Sequence, residues 1–358
     1  MGNKKNILVC PLDWGLGHAS RCIPIISQLK DEGHKIIIAT SGRALLMLKN
    51  EFPKLEFLEF SGYNVSYPFN DSMVFKMFRM IPSFFLDILT EHRELKKIIK
   101  KESIDVVISD HRYGLWNKNV KSILIIHQVM IKCPRILKFM EISFYFLTTF
   151  FMKKFSECWI PDVEEKENLS GELSHKYKLP ANTRFIGHLS RFYNKNLKLE
   201  HEYSSDLLII LSGPEPQRTI FEEIIFVQLK DTKLKTIVIR GLPEEDKKYF
   251  FANHIQVFSS VPTDELTKYL FSTRLVICRS GYSSIMDLIA MKKNALLVPT
   301  PGQTEQEYLA KYLFEKNIFY FVKQKYFNLI TNIENAERIN AKFNFCNFEK
   351  LNEIVKSV

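Results

Sequence analysis

Apolar runs alternate with longer polar or mixed stretches along the whole chain. Asn6 to Leu12 is an apolar run flanked by Lys4, Lys5 and Asp13, the pattern of a strand buried on both faces. Gly15 to Gly17 follow as a tight loop, Arg21 to Lys30 read as a helix, and Lys35 to Thr40 form a second apolar run, giving a β-α-β start. Asp105 to Ser109, Ser122 to Ile126 and Glu157 to Ile160 continue the series across gaps long enough for helices, which predicts an open parallel sheet. The chain turns polar from Leu189 to Ser205, and the alternation then restarts at Asp206 to Leu211, Thr236 to Arg240, Ile255 to Phe258, Leu275 to Cys278 and Ala295 to Pro299. No short-period repeat accompanies the doubling. The expected architecture is therefore two doubly wound α/β domains, 1–190 and 191–345, facing across a cleft, with a helix over about 346–358 packing back on the first.

Composition agrees with a globular protein of this size: 358 residues, 46% hydrophobic and 25% charged. Six scattered cysteines without a CxxC pair fit reduced thiols and no structural zinc, and the run Ile7 to Leu12 is too short for a signal-peptide core, so a cytoplasmic protein is expected. The formal charge of +10 would attract nucleic acid, an acidic membrane face or a phosphorylated small molecule. A nucleic-acid binder needs a contiguous basic face interleaved with aromatics, or a known module, and neither is visible. Positive charge gathers instead in two apolar stretches of the first half. Met73 to Leu89 runs into a basic tail, with seven Lys/Arg against three Asp/Glu from Lys76 to Lys101, and Ile131 to Phe155 combines Lys132, Arg135, Lys138, Lys153 and Lys154 with the run Phe139 to Met152. That run is too short to span a bilayer and contains Glu141. Such segments suit helices that cover the sheet with snorkelling Lys stems, or helices lying on an anionic membrane surface.

Candidate chemistry clusters in loops that follow apolar runs. In Asp13-Trp14-Gly15-Leu16-Gly17-His18-Ala19-Ser20-Arg21, a glycine-rich turn opens a helix, where backbone amides and the helix dipole favour an anion or a polar substrate edge. A dinucleotide fingerprint would need a third glycine at Ser20 and an acid near Ala39-Thr40-Ser41. His18 stands at the mouth of this loop and can take a proton near neutral pH, with Asp110, His111 and, more weakly, His127 competing at the ends of other strands. Cys278-Arg279-Ser280-Gly281-Tyr282-Ser283-Ser284 turns from a strand into a helix and offers a diphosphate its first-turn amides, with Asp287 one turn on for ribose hydroxyls. Pro299 to Tyr308 places Gln306 and Glu307 at a helix entry, where they can grip sugar hydroxyls. Ser212-Gly213-Pro214-Glu215-Pro216-Gln217-Arg218 adds a third loop, with Arg218 as a phosphate partner.

In order and spacing, Cys278-Arg279-Ser280-Gly281, Asp287, Leu297-Val298-Pro299 and Gln306-Glu307-Tyr308, together with Gly15-Leu16-Gly17-His18, resemble the GT-B glycosyltransferases of family 28, which include the lipid II-forming N-acetylglucosaminyltransferase. The resemblance implies two Rossmann-like domains, a nucleotide-diphosphate sugar held at Ser212, Gly213 and Ser280 to Ser284, ribose at Asp287 and donor sugar at Gln306 and Glu307. It further implies transfer of a hexose or N-acetylhexosamine, from a uridine nucleotide and with inversion, to a hydroxyl of a lipid-linked or glycan acceptor. His18 is the expected base. No cofactor or metal is expected: amides and Arg218 can stabilise the leaving diphosphate, and none of the twelve aspartates forms an Asp-x-Asp pair. A nucleotide-sugar epimerase of the same architecture is the main alternative, and a basic nucleic-acid-binding protein the lesser one; neither accounts for the basic apolar stretches as acceptor docking does.

Overall fold

The computed structural model describes residues 4–62, 73–193, 203–340, 343 and 347–358. The side chains of Lys76, Arg79 and Arg135, most of the polar connector and Cys346 lie outside the described residues. The first sheet contains β1 (Asn6–Pro11), β2 (Lys35–Thr40), β3 (Glu56–Glu59), β4 (Val106–Asp110), β5 (Lys121–Ile125), β6 (Glu157–Ile160) and β7 (Thr183–Phe185). Its order is β3-β2-β1-β4-β5-β6-β7, and every pair is parallel. The second sheet contains β8 (Ser205–Ile210), β9 (Thr236–Ile239), β10 (Lys248–Ala252), β11 (Ile255–Phe258), β12 (Thr273–Cys278), β13 (Ala295–Leu297) and β14 (Tyr320–Phe321), in the order β10-β11-β9-β8-β12-β13-β14. Only β10 runs antiparallel to its neighbour. The apolar runs are the central strands, buried on both faces as parallel packing requires. β3, β7, β10 and β14 escaped the sequence reading because they are short and flank the sheets, where a strand need not be wholly apolar.

The helices of the first half are α1 (Leu16–Asp31), α2 (Gly42–Glu51), α3 (Met73–Glu102), α4 (Glu141–Met152) and α5 (Glu172–His175). Those of the second are α6 (Gln217–Leu229), α7 (Thr263–Ser272), α8 (Tyr282–Ala290), α9 (Thr304–Glu315), α10 (Leu329–Glu337) and α11 (Lys350–Val355). One expectation needs correcting here. α1 starts at Leu16, not at Arg21, so Gly17 and His18 belong to its first turn, and Gly15 is its N-cap. In each sheet the direction of winding reverses between two central strands, β1 and β4 in the first and β8 and β12 in the second. A crevice necessarily opens at the C-terminal ends of such strands, because their outgoing connections part to opposite faces.

The two halves share one apolar core. It joins Cys22 and Ile26 of α1, Met286 and Ile289 of α8, and Leu351, Ile354 and Val355 of α11. α11 therefore belongs structurally with the first sheet although it follows the second in sequence; nearby, His188 N donates to Asn347 O at 2.7 Å and Lys121 Nζ to Ser357 O at 3.3 Å. The Tyr282 hydroxyl donates to Pro161 O at 2.9 Å, a further link between the halves. Ile354 is 3% exposed. Ile354→Ala is expected to cost about 2–5 kcal/mol in denaturant unfolding, and a loss below about 0.5 kcal/mol would show that the helix contributes no packing.

Candidate active site

A cleft of ≈ 900 Å³ lies between the sheets, lined from both halves by the loops at the two reversal points. From the first half come Gly15, Gly17, His18 and His111, and from the second Ser212, Gly213, Gly281, Ser283, Ser284, Asp287 and Gln306. Most of the residues expected from sequence are thus brought to one space. Neither Gly15 before α1 nor Gly281 before α8 provides a side-chain cap, so the first-turn amides of both helices are left to a ligand. Ser283 Oγ donates to Gly17 O at 2.8 Å and holds the two helix starts together. Gly213 has φ +104°, a conformation that favours glycine, and a Cβ there would come within 3.3 Å of Thr300 Oγ1.

On the first-half wall a buried charged cluster is built around Arg21. Its Nε donates to Asp110 Oδ2 at 2.9 Å and its Nη2 to Asp110 Oδ1 at 2.5 Å, a two-point contact between side chains 2% and 0% exposed. His18 Nδ1 lies 3.0 Å from Asp110 Oδ2 and 2.6 Å from Arg21 Nη2. His111 Nδ1 is 3.1 Å from Arg21 Nη2 and 3.3 Å from Asp110 Oδ1. Burial alone would raise the Asp110 carboxyl, but Arg21, then His18, hold it well below the carboxylate range. Burial pushes His111 down to about 3; Arg21 adds to this and the Asp110 hydrogen bond opposes it. The nitrogens of His18 and His111 and the carboxylate of Asp110 converge as metal ligands do, yet Arg21 Nη2, a permanent cation, already stands among them.

The cluster reaches across the cleft. Arg21 Nη1 donates to His127 Nδ1 at 2.8 Å, which leaves the His127 proton on Nε2, and that nitrogen donates to Glu305 Oε1 at 2.8 Å. Burial would raise the Glu305 carboxyl, but His127, with His111 and Arg21 adding to it, holds the acid at about 2. The Tyr282 ring stacks on His127 at 4.6 Å between centroids. Arg21 and Glu305 were not singled out in the sequence. The spacing His18, Arg21 was the available sign, since residues three apart share one helix face.

Several expected roles are corrected by these positions. Asp110 is fully buried and engaged by Arg21, so it orients other groups and does not itself reach the cleft. Glu307 does not line the cleft, whereas Glu305 does; two residues along α9 are about 200° apart around the helix, so the pair of this stretch that faces the cleft is Glu305 with Gln306. Arg218 is 4% exposed and spent on Glu215, at 2.5 Å, and on Glu222, so it is not presented to a phosphate. Arg279 also lies outside the lining: it stacks on Phe221 at 4.3 Å, and donates to Gln217 O at 2.8 Å and Val298 O at 3.2 Å. Ser280 Oγ donates to Gln306 O at 2.9 Å and, like Arg279, fixes the loops rather than touching the cleft. Asp287 lines the cleft but is already approached by Ser190 Oγ at 2.7 Å and Arg191 Nε at 3.5 Å.

The sequence of the second half meets the same geometry from another direction. Residues 217–353 match the glycosyltransferase family 28 C-terminal domain. The protein is a glycosyltransferase. Its fold is GT-B, shared over 99% of the chain with CalG4, the calicheamicin glycosyltransferase (12% identity, 93% of that chain, TM-score 0.62). The Streptomyces sp. SF2575 glycosyltransferase SsfS6, complexed with thymidine diphosphate, is alike over 99% of this chain (12% identity, 100% of that chain, TM-score 0.59). So is Acinetobacter baumannii MurG, over 99% of this chain (11% identity, 94% of that chain, TM-score 0.53). No curated protein matches the chain.

Burial raises the Asp287 carboxyl to about 6, against the pull of Arg191. Well below the ordinary carboxylate pKa, folded and unfolded chains are both neutral there and nothing is lost. As pH rises through about 6 the folded state must carry a charge that the unfolded state carries freely, so stability falls. Asp287→Asn is therefore expected to stabilise the unliganded protein by up to about 3 kcal/mol near pH 8 and little near pH 4. Denaturation midpoints at the two pH values check this, and an advantage that does not grow with pH refutes it.

Proposed function

We propose that this glycosyltransferase moves a hexose or N-acetylhexosamine, with inversion and without a metal, from a nucleoside-diphosphate sugar to a hydroxyl of a lipid-linked or glycan acceptor. The observation that carries the reading is the placement of His18, backed by buried Asp110, on the first-half wall of the cleft whose second-half wall holds the uncapped α8 start and the Glu305–Gln306 pair. Inversion needs a base on the face away from the departing diphosphate. An imidazole whose Nδ1 is held by a carboxylate and whose Nε2 remains for substrate has the form of such a base. The leaving diphosphate would be met by the amides of Ser283 and Ser284 and by the loop at Ser212 and Gly213, the ribose by Asp287, and the sugar by Glu305 and Gln306. UDP is the expected carrier; the thymidine diphosphate bound in the similar SsfS6 structure makes TDP the competitor to test.

The acceptor side supports the lipid-linked option. Phe84, Leu137, Phe144, Leu147 and Phe151 give the cleft an apolar wall. Outside it, Leu86, Ile136, Phe139, Phe146 and Phe150 are exposed on α3, a turn at Arg135–Met140 and α4, with Lys138 and Lys153 exposed among them. Among the described residues no helix is long and apolar enough to cross a membrane. The patch reads as a surface that lies on the anionic cytoplasmic face, presenting a lipid-carried acceptor to the cleft. An epimerase, which needs no acceptor, would have no use for such a wall.

UDP, GDP and TDP, with their sugar conjugates, should separate in thermal-shift screening, one diphosphate raising Tm clearly above the others; if none does and DNA or RNA does, the reading fails. Asp287→Ala should lose nucleotide binding. His18→Gln should keep donor binding but lose about 10²–10⁴-fold in kcat. Ile136→Asp with Phe139→Asp should abolish co-sedimentation with phosphatidylglycerol-containing vesicles, whereas retained sedimentation would leave the patch without this role.

A further inference from the structure

We propose that His111 is a positioning residue that selects the base-competent tautomer of His18, an inference that rests on the reading of His18 as the base. Arginine remains cationic in a protein, so each of its N–H groups donates and none accepts. Arg21 Nη2 carries two hydrogens but faces three acceptors: Asp110 Oδ1 at 2.5 Å, His18 Nδ1 at 2.6 Å and His111 Nδ1 at 3.1 Å. Asp110 claims one of them, because the parallel Nε contact at 2.9 Å fixes the two-point geometry. Arg21 Nη1 cannot help, being turned to His127 at 2.8 Å. One hydrogen remains for two imidazoles.

If that hydrogen points to His18 Nδ1, the His18 proton must sit on Nε2, and the nitrogen left for substrate is a donor that cannot act as base. His111 then donates from Nδ1 to Asp110 Oδ1, 3.3 Å away. If it points to His111 Nδ1, the His111 proton moves to Nε2. His18 is then free to donate from Nδ1 to Asp110 Oδ2, 3.0 Å away, and to present a bare Nε2 to the acceptor hydroxyl. The arrangement with both imidazoles protonated on Nδ1 leaves the second Arg21 Nη2 hydrogen with no acceptor, which is costly for a buried donor. Each consistent network therefore makes His18 a base only when His111 accepts from Arg21. The shorter contact lies to His18, so the unliganded network leans toward the unproductive state, and His111 is what gives the hydrogen another destination. His111 is held beside the carboxylate by its place directly after β4 and by φ +56°, a conformation that costs a non-glycine residue energy.

Two substitutions tolerate that backbone and differ in the acceptor: His111→Asn offers Oδ1 close to where Nδ1 stands, and His111→Gly offers nothing. His111→Gly is expected to lower kcat by about tenfold or more at unchanged donor KM, and His111→Asn to restore it to within about threefold of wild type. Nitrogen-15 NMR of the imidazoles should report His18 protonated on Nε2 in the glycine variant and on Nδ1 in the donor-bound wild type. A glycine variant with wild-type kcat, or an asparagine variant as slow as the glycine one, overturns the proposal. If the glycine variant does not fold, the donor-bound wild-type spectrum decides: His18 on Nδ1 with His111 on Nε2 supports the proposal, and the reverse assignment overturns it. Failure of the base reading itself looks different, because His18→Gln would then turn over at the native rate.

Discussion

The contact between Arg21 and Asp110 organises both halves of the active cleft. A carboxylate and a guanidinium removed from water are tolerated only when their hydrogen bonds are satisfied, since removing one partner of such a pair strands the other at a cost of about 3–5 kcal/mol. Here the surplus donors of Arg21 are met by His127 and by one of His18 and His111 at a time, and through His127 the chain of bonds ends on Glu305 in the other domain. A requirement of burial thus becomes a wiring rule: the groups that orient His18, the proposed base, are bonded to the group proposed to meet the donor sugar.

That bond across the cleft also bears on the order of events. Glu305 cannot give its full hydrogen-bonding capacity to a sugar while His127 donates to it at 2.8 Å. Arg43 with Glu244, at 2.8 Å, and Thr263 with Glu51, at 2.7 Å, tie the halves at another part of the rim. A sugar placed at Glu305 would therefore compete with one of the contacts that link the two halves.

The central strands and the doubling of the architecture were legible because burial on both faces demands unbroken apolar runs, and a parallel sheet offers no exposed face to interrupt them. The loops at Gly15 to His18, Gly281 to Ser284 and Gln306 were legible because an amide-rich helix start has a local signature. The edge strands had no such signature, and neither did partners distant in sequence. Arg218 and Arg279 illustrate the second limit. Each is a cation in or beside a loop that borders the cleft, and only the fold reveals that Glu222 or a set of carbonyls has already engaged it. The choice between Glu305 and Glu307 turned on helical phase, which depends on where α9 begins, and a sequence leaves helix starts uncertain by a residue or two. Arg21 remained hidden for a related reason: a charge in an otherwise apolar helix face signals a buried partner but does not name it.

The return of α11 to the first sheet gives the molecule a second covalent crossing between its halves. A single connector lets two bodies swivel freely, whereas two separated straps leave rotation about the line that joins them and resist sliding. The same topology constrains synthesis. The apolar groove beside α1 has no covering until residues 350–355 have left the ribosome, after the entire second domain, so the half made first is the half completed last.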